Sequence, residues 1–286
     1  MREETAQSVS CVGLSRSGAV AMLQAPSVCG ERVAVFRDHF SQQAAAYAIH
    51  RPGYPAALFQ YLASVCPRQE RAWDTATGNG QAATGLARHF ANVIATDASR
   101  NQVANAKPHP GVRYMVAASE HSPLAPASID LTTIAAALHW LDLDAFYREV
   151  TRVSRPAALL AAWTYDPPFI DPAIDEVVRD FSTNTLAPYW PPERRYVDRH
   201  YQTIPFPFER LPVPSFEARA EWDLNQLLNY VGTWSAVVRG KAATGTDLVA
   251  GLEQQLLPLW EPAAHIRVIR WQLFLLVGRV DGGSLR

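Results

Sequence analysis

Residues 73–83, WDTATGNGQAA, contain the pattern that decides the fold. Gly78 and Gly80 are two residues apart, and the small residue Ala83 follows three positions later. This spacing fits the G-x-G-x-x-G/A turn that joins the first strand to the first helix of a nucleotide-binding α/β sheet. Turns of this kind bind more than one class of nucleoside cofactor, so the glycines by themselves leave the cofactor open.

Short apolar runs alternate with helical stretches around this turn. Strands are predicted at RAWDTA, NVIATD, VRYMVAAS, SIDLTTIAAAL and ALLAAWTY. Helices are predicted between them at GQAATGLARHF, SRNQVANA and DLDAFYREVTRVS. This alternation predicts right-handed βαβ units, and the nearly continuous apolar strands suit a parallel sheet covered on both faces. The predicted fold class is therefore α/β, with a Rossmann-like, doubly wound sheet.

The chain divides into four segments by composition. Residues 1–34 are rich in Ser, Ala and Gly with little periodicity, which predicts a loosely ordered tail, and residues 35–166 form the cofactor-binding core with N-terminal lid helices. Residues 167–214 contain ten of the 21 prolines, interleaved with aromatic residues, and predict an irregular, partly helical cap. Residues 215–286 return to helices and strands that complete the sheet, with one long helix over 224–240.

Composition and charge exclude several classes of partner. The 286 residues have a formal net charge of −1, from 26 basic and 27 acidic side chains. Nucleic acids and anionic membranes normally bind basic surfaces, so we expect neither as a partner. The widely spaced Cys11, Cys29 and Cys66 predict neither a disulfide framework nor a metal site. The N-terminus lacks a secretory signal and no apolar run is long enough to span a membrane, which predicts a cytoplasmic protein.

Three acidic residues bear on the choice of cofactor. Asp97 ends the second strand about 20 residues after the turn, where a carboxylate accepts hydrogen bonds from the ribose hydroxyls. Asp74 ends the first strand, where its carboxylate would face the pyrophosphate of a nicotinamide cofactor. S-adenosylmethionine instead carries a cationic amine and a sulfonium, which acidic groups attract. Together with Glu120, placed to meet adenine, these residues favour S-adenosylmethionine, and a nicotinamide cofactor is the alternative.

The order and spacing of several motifs resemble the class I S-adenosylmethionine-dependent methyltransferases, specifically the type 11 domain and the small-molecule branch that includes trans-aconitate methyltransferases. The motifs are YAIHRPGYP, WDTATGNGQAA, ATDAS, SEHSPLAPASIDL, AAALHWLDLDAFYREVTRV and WTY. The resemblance implies a seven-stranded sheet whose last strand is antiparallel. It also implies that the cofactor is held by a set of residues from the strand ends: Asp74, Ala76, Gly78, Gly80, Asp97, Ala98, Ser119, Glu120 and Ala135.

The sequence departs from the resembling family at three places. Ala76 stands where the family usually has the first glycine of the turn, and Ala136 replaces a polar residue. The stretch RPAA, residues 155–158, replaces a Pro-Gly-Gly turn before the fifth strand. We expect alanine to cost little in that turn provided that its φ stays negative.

Candidate acceptor-side residues lie at three places in the sequence. His139 and Trp140 follow the fourth strand. His139 is either a general base or a residue that shapes the pocket. If it is a base, the rate of methyl transfer should fall as the pH drops through the imidazole pKa, about 6.5 without perturbation. Tyr47, Arg51 and Tyr54 lie on the N-terminal element. Arg51 would bind a carboxylate of the cofactor or of the substrate, and a place on the surface is the alternative.

Trp163 and Tyr165 end the fifth strand, close to the predicted acceptor site. Their aromatic faces would pack against a substrate or the sulfonium, and a place in the core is the alternative. The sequence thus predicts methyl transfer from S-adenosylmethionine to a small organic acceptor with a carboxylate, hydroxyl or amine. The rival functions are a methyltransferase fold that binds the cofactor without transferring methyl, and a nicotinamide-dependent oxidoreductase.

Overall fold

The structure is a computed structural model, and it describes residues 51–280. The predicted tail at 1–34, the start of the lid and Tyr47 lie outside the described residues. The strands are β1 Arg71–Thr75, β2 Asn92–Asp97, β3 Val112–Val116, β4 Ile129–Ala135, β5 Ser154–Tyr165, β6 Glu209–Arg210, β7 Phe216–Trp222 and β8 Arg267–Val280.

One helix precedes β1, and the others lie between strands. They are α1 Ala56–Val65, α2 Gln81–Leu86, α3 Arg100–Ala104, α4 Leu143–Val153, α5 Pro172–Asp180, α6 Arg194–Asp198, α7 Leu224–Gly232, α8 Ser235–Thr244 and α9 Leu248–Trp260. Single turns of other helix types occur at Leu138–Trp140, Phe181–Thr185 and Ala187–Tyr189.

The strands form one sheet in the order β3-β2-β1-β4-β5-β8, and β6 and β7 both pair with the far side of β8. The pairs from β3 to β5 are parallel, and β8 is antiparallel to each of its neighbours. The predicted doubly wound sheet with an antiparallel last strand is confirmed. Two short segments, β6 and β7, share the seventh position across the sheet. The strand order reverses between β1 and β4, which is where such sheets bind ligands.

Both faces of the sheet are covered, because successive residues of a strand point to opposite faces. Leu159 and Ala161 of β5 belong to one apolar core, and Leu160 and Ala162 belong to the other. The cap segment contributes to both cores, since Ile174 of α5 packs in the first and Tyr201 in the second. The apolar character of the strands therefore reflects burial on two sides.

The predicted single helix over 224–240 is wrong, because the structure divides it into α7 and α8. Trp234 has an extended ψ of 137°, which ends the helical path. The Thr233 hydroxyl donates to the carbonyl of Tyr230 at 2.6 Å and so competes with the helical backbone bonds. This break is important for the site, because it turns Tyr230 and Trp234 toward the ends of β4 and β5.

Alanine in the stretch RPAA is expected to cost little provided that its φ stays negative, and the structure gives a positive φ there. Ala157 has a φ of 63°, in the left-handed region that favours glycine. A Cβ in this region costs roughly 1–2 kcal/mol. Residues 155–158 lie within β5 and not in a turn before it, so Ala157 has the left-handed backbone of a glycine near the start of the strand.

Ala157→Gly should therefore stabilise the protein by about 0.5–1 kcal/mol, the relief of strain less the entropy that glycine loses on folding. Urea unfolding of purified variants measures the change. Ala158→Gly is the matched control, since Ala158 is buried in β5 and a glycine there should destabilise the strand. Equal losses in both variants would contradict strain at Ala157.

Candidate functional site

Asp74 joins the glycine turn to the sheet. Its side chain is 1% exposed, and its two carboxylate oxygens accept hydrogen bonds from the hydroxyls of Thr77 in the turn, at 2.5 Å, and Thr133 in β4, at 2.6 Å. It also accepts from the backbone N–H of Ala83, in the first turn of α2. One carboxyl group therefore connects the turn, the following helix and the neighbouring strand.

Burial raises the pKa of Asp74 from 3.8 to about 6, because desolvation penalises the charged form more than the hydrogen bonds from Thr133, Thr77 and Ala83 favour it. The negative charge of Asp97 adds to the rise. Both carboxylate oxygens of Asp74 accept hydrogen bonds from the protein, and these bonds hold the turn in place. The contact of Asp74 with a cofactor stays a prediction.

The glycine turn has the tight geometry that its sequence predicts. Gly80 has a φ of 84°, and a Cβ built there would lie 2.1 Å from the hydroxyl oxygen of Tyr114 on β3. Any side chain at this position would collide with that ring. Ala76 has a φ of 48°, so it adopts the left-handed backbone of the glycine that it replaces.

Asp97 lies at the end of β2 and faces the same turn. Its Oδ2 accepts from the backbone N–H of Gly78 at 2.9 Å, and its Oδ1 accepts from the N–H of Ser99 at 2.8 Å. A carboxylate has about four lone-pair sites, so it can accept further hydrogen bonds from a ligand. The half-buried Ala98 follows it on the same loop.

The predicted adenine-side residues lie in the loop after β3. The buried Ser119 accepts a hydrogen bond from the Thr75 hydroxyl at 2.7 Å, which ties this loop to the end of β1. The Glu120 carboxylate accepts from the backbone N–H of Asp142 at 3.2 Å, just before α4. The half-buried Ala135 ends β4, beside β1. These contacts place the predicted cofactor residues at one edge of the sheet, and their contact with a ligand stays a prediction.

A cavity of about 110 Å³ lies beside this edge, at the carboxyl ends of β4 and β5. Ala136, directly after β4, and Thr164, near the end of β5, form part of its wall. The rest of the wall is largely aromatic and comes from separate parts of the chain: Trp140, Tyr165, Trp190, Tyr230 and Trp234.

Two guanidinium groups also line the cavity. Arg51 donates from Nη1 to the hydroxyl of Tyr165 at 2.5 Å, and its Cζ lies 5.3 Å from the centre of the Tyr230 ring. The Cζ of Arg194 lies 4.1 Å from the centre of the Trp190 ring. Aromatic contacts hold both cations, so the cavity presents positive charge in fixed positions.

His139 lies in the cavity wall, and its Nδ1 is 2.8 Å from the hydroxyl oxygen of Tyr201. Burial, reinforced by the charge of Arg194, lowers the pKa of His139 from 6.5 to about 3. The imidazole is therefore neutral at and below physiological pH. A loss of rate through a pKa of about 6.5 is expected only for an unperturbed imidazole that acts as a base, and this shift places the pKa of His139 well below that value.

Trp163 and Tyr54 are not part of the cavity wall. Trp163 is fully buried, and the ring of Tyr54 packs edge-on against it with centroids 5.2 Å apart. Trp163 lies two residues before the end of β5, where Tyr54 covers it, and the next aromatic residue, Tyr165, reaches the cavity. The predicted substrate contacts of Trp163 and Tyr54 are therefore replaced by core packing, whereas Arg51 and Trp140 do line the cavity.

Several cavity residues were missed by the sequence-based reasoning. Trp190 and Arg194 lie in the proline-rich segment, and Tyr230 and Trp234 lie on either side of the break between α7 and α8. Thr233 offered a signal, because its hydroxyl favours the end of a helix in the middle of a predicted helical stretch. The hydroxyl of Thr233 indicates where the helix ends, but it does not indicate that Tyr230 and Trp234 line the cavity.

Among residues 51–280, no group of three or more His, Cys, Asp or Glu side chains is placed to bind a metal ion. No helix in that range is long and apolar enough to cross a membrane.

A doubly wound sheet with one antiparallel strand, a glycine turn and an acidic residue at the end of β2 define an α/β protein of the nucleoside-cofactor class. The family described as "Methyltransferase domain" matches residues 73–162, from β1 into β5. A Dictyostelium discoideum protein named as a methyltransferase is 30% identical over 230 residues, which cover 79% of this chain and 88% of that protein. The chain belongs to the methyltransferase-domain family.

A solved structure of a type II methyltransferase from Anaeromyxobacter dehalogenans is 41% identical to this chain. The match has a TM-score of 0.75 and covers 82% of this chain and 99% of that one. A Saccharomyces cerevisiae protein named as an S-adenosylmethionine-dependent methyltransferase is 27% identical over 139 residues, 45% of this chain and 48% of that protein. The resemblance to the methyltransferase family is confirmed by these matches.

Asp74→Asn should remove a pH-dependent contribution to stability. The pKa of Asp74 is about 6 in the folded protein and 3.8 without the fold, so the folded state binds more protons between these values. The contribution is fully present below about pH 4 and is lost as pH rises through about 6. The free energy of unfolding of wild type minus that of the variant should fall by roughly 1–3 kcal/mol between pH 4 and pH 8.

Urea unfolding across this pH range measures the difference. Glu221→Gln removes an exposed carboxylate of β7 and should follow the wild-type curve. Parallel curves for wild type and Asp74→Asn would show that Asp74 titrates alike in both states.

Proposed function

We propose that this protein transfers the methyl group of S-adenosylmethionine to a small organic acceptor in the cavity beside the glycine turn. One observation carries the proposal: Ala136 in the cavity wall directly follows β4, and β4 pairs with β1, from which the turn emerges. The cavity and the turn therefore lie at neighbouring strand ends, as a transfer between two small molecules requires.

The residues of the turn suit the proposed methyl donor. Gly78 and Gly80 have φ values of 55° and 84°, a left-handed backbone that glycine adopts at no steric cost, and a tight turn of this kind brings its backbone close to a bound nucleoside. Asp97 would hold the ribose hydroxyls, and the loop with Ser119 and Glu120 would meet the adenine. Arg51 lies in the cavity wall, where it would pair with a carboxylate. When bound, S-adenosylmethionine would supply an electrophilic methyl carbon, which an acceptor would attack in line with the carbon–sulfur bond as S-adenosylhomocysteine leaves.

The cavity wall favours an acceptor that carries negative charge. Arg51 and Arg194 supply two cations, and the neutral His139 adds no charge. Among the described residues of the wall, the one carboxylate belongs to Asp166 and lies 2.7 Å from Nε2 of His200. A carboxylate fits these groups best among the three acceptor classes, because it is already nucleophilic near neutral pH and needs no base. An amine acceptor would be protonated near neutral pH and repelled by the two cations. The aromatic residues would position the acceptor and exclude water, which supplies much of the rate in an in-line displacement.

Calorimetric titration tests the choice of donor. We expect S-adenosylmethionine and S-adenosylhomocysteine to bind, and NADH and NADPH to bind far more weakly. Tighter binding of a nicotinamide cofactor would overturn the proposal. Formation of S-adenosylhomocysteine with a panel of small carboxylates, phenols and amines then separates a transferase from a protein that binds the cofactor without methyl transfer.

Asp97→Ala should weaken the binding of S-adenosylhomocysteine by about 1–3 kcal/mol, because hydrogen bonds to a charged acceptor are lost. Calorimetry measures the change in Kd, and thermal unfolding shows whether the variant is folded. Asp97→Asn keeps one acceptor oxygen and should lose less affinity. An unchanged Kd in the alanine variant would remove Asp97 from the ribose site.

A further inference from the structure

The hydrogen bond between His139 and Tyr201 is the contact that defines the state of the histidine in the cavity. Nδ1 of His139 lies 2.8 Å from the Tyr201 hydroxyl oxygen, and Tyr201 is fully buried in the core cluster behind the cavity wall. Since Nδ1 faces this phenol, Nε2 lies at the opposite edge of the ring. A neutral imidazole has one donor and one acceptor nitrogen, and its partner decides which is which.

The surroundings of Tyr201 give this hydrogen bond its direction. Burial raises the pKa of the Tyr201 phenol, so the phenol keeps its proton. Among the described residues, the hydrogen-bond partner of the Tyr201 hydroxyl is Nδ1 of His139. If Nδ1 carried the proton, it would donate to the phenol oxygen and leave the buried O–H without an acceptor, which is costly. The phenol O–H therefore donates to Nδ1, the basic nitrogen of a neutral ring.

We propose that Tyr201 is a positioning residue that fixes His139 in the tautomer with its proton on Nε2, so that His139 donates a hydrogen bond to the methyl acceptor and does not remove a proton from it. The assignment of the tautomer rests on the 2.8 Å contact and on the burial of Tyr201. Its consequence for the acceptor rests on the proposed function.

Backbone strain behind the cavity supports a positioning role. His200 and Tyr201 have φ values of 52° and 59°, two successive left-handed residues that carry side chains. Such residues are unfavourable and persist where the surroundings over-determine them, often near functional sites. Each of the two contacts a residue of the cavity wall. Tyr201 contacts His139, and Nε2 of His200 lies 2.7 Å from the carboxylate of Asp166.

The charges around His139 agree with a neutral donor. Arg194 and Arg51 face the cavity from α6 and from the start of the described chain, and Asp166 follows β5. The charge of Arg194 and the burial of the ring both disfavour a protonated imidazole. An Nε2–H in this wall recognises a lone pair on oxygen. We therefore expect an acceptor that is ionised before it binds, such as a carboxylate, and we expect alcohols to react poorly.

Long-range nitrogen–proton NMR correlations of the uniformly ¹⁵N-labelled full-length protein test the tautomer directly, because protonated and unprotonated ring nitrogens have different shifts. His139→Gln identifies the signals by their disappearance. In the wild type we expect His139 to be neutral with its proton on Nε2 from pH 5 to pH 8. A proton on Nδ1, or a protonated ring at pH 6, would overturn the proposal.

Tyr201→Phe keeps the ring and removes the donor. We expect the ratio of the Nδ1–H to the Nε2–H form to rise on the order of 10-fold, the equivalent of one hydrogen bond. Tyr147→Phe is the matched control, because Tyr147 lies in the same core cluster and its hydroxyl donates to the carbonyl of Pro205 at 2.5 Å. An unchanged ratio in Tyr201→Phe, or an equal change in both variants, would overturn the positioning role.

The wild-type spectrum decides the tautomer even if Tyr201→Phe fails to fold. Because the measurement needs neither methyl donor nor acceptor, its outcome is independent of the calorimetric test of the proposed function.

Discussion

The buried carboxyl group of Asp74 is the constraint on which the ligand edge of the sheet depends. A charge in this position is costly, and it is tolerated because Thr77, Thr133 and Ala83 all donate hydrogen bonds to it. These three donors belong to the turn, the next strand of the sheet and the following helix. The carboxyl group therefore sets the position of the glycine turn relative to β4, and with it the distance from the proposed donor site to the cavity.

The two halves of the proposed site are built in different ways. The donor half uses strand ends and loops between residues 74 and 120, which the βαβ units bring to one edge of the sheet. The acceptor half is assembled from Arg51, the turn after β4, the proline-rich segment and the break between α7 and α8. The donor half belongs to the fold itself, whereas the acceptor half comes from distant segments. This division is consistent with one methyltransferase fold that serves many acceptors.

Alanines in left-handed backbone show how strongly the fold dictates local shape. Ala76 and Ala157 stand where the resembling family has glycine, and both have positive φ values, as has Ala136 in the cavity wall. The hydrogen bonds of the turn and the pairing of β5 outweigh a local cost of roughly 1–2 kcal/mol for each. At positions 76 and 157 the residue is alanine, and the backbone still has the left-handed conformation that glycine favours.

The amino-acid sequence alone determined the class of fold and the edge of the sheet where the predicted cofactor residues lie. The alternation of short apolar runs with helical stretches, the spacing of Gly78 and Gly80, and Asp97 at a strand end are local features, and local features can be read along the chain. Only the tertiary structure decided that Asp74 points inward, that Tyr54 covers Trp163, and that Tyr201 holds His139. Each of these outcomes depends on which distant side chain fills the space next to a residue, and the packing of the whole chain settles that competition.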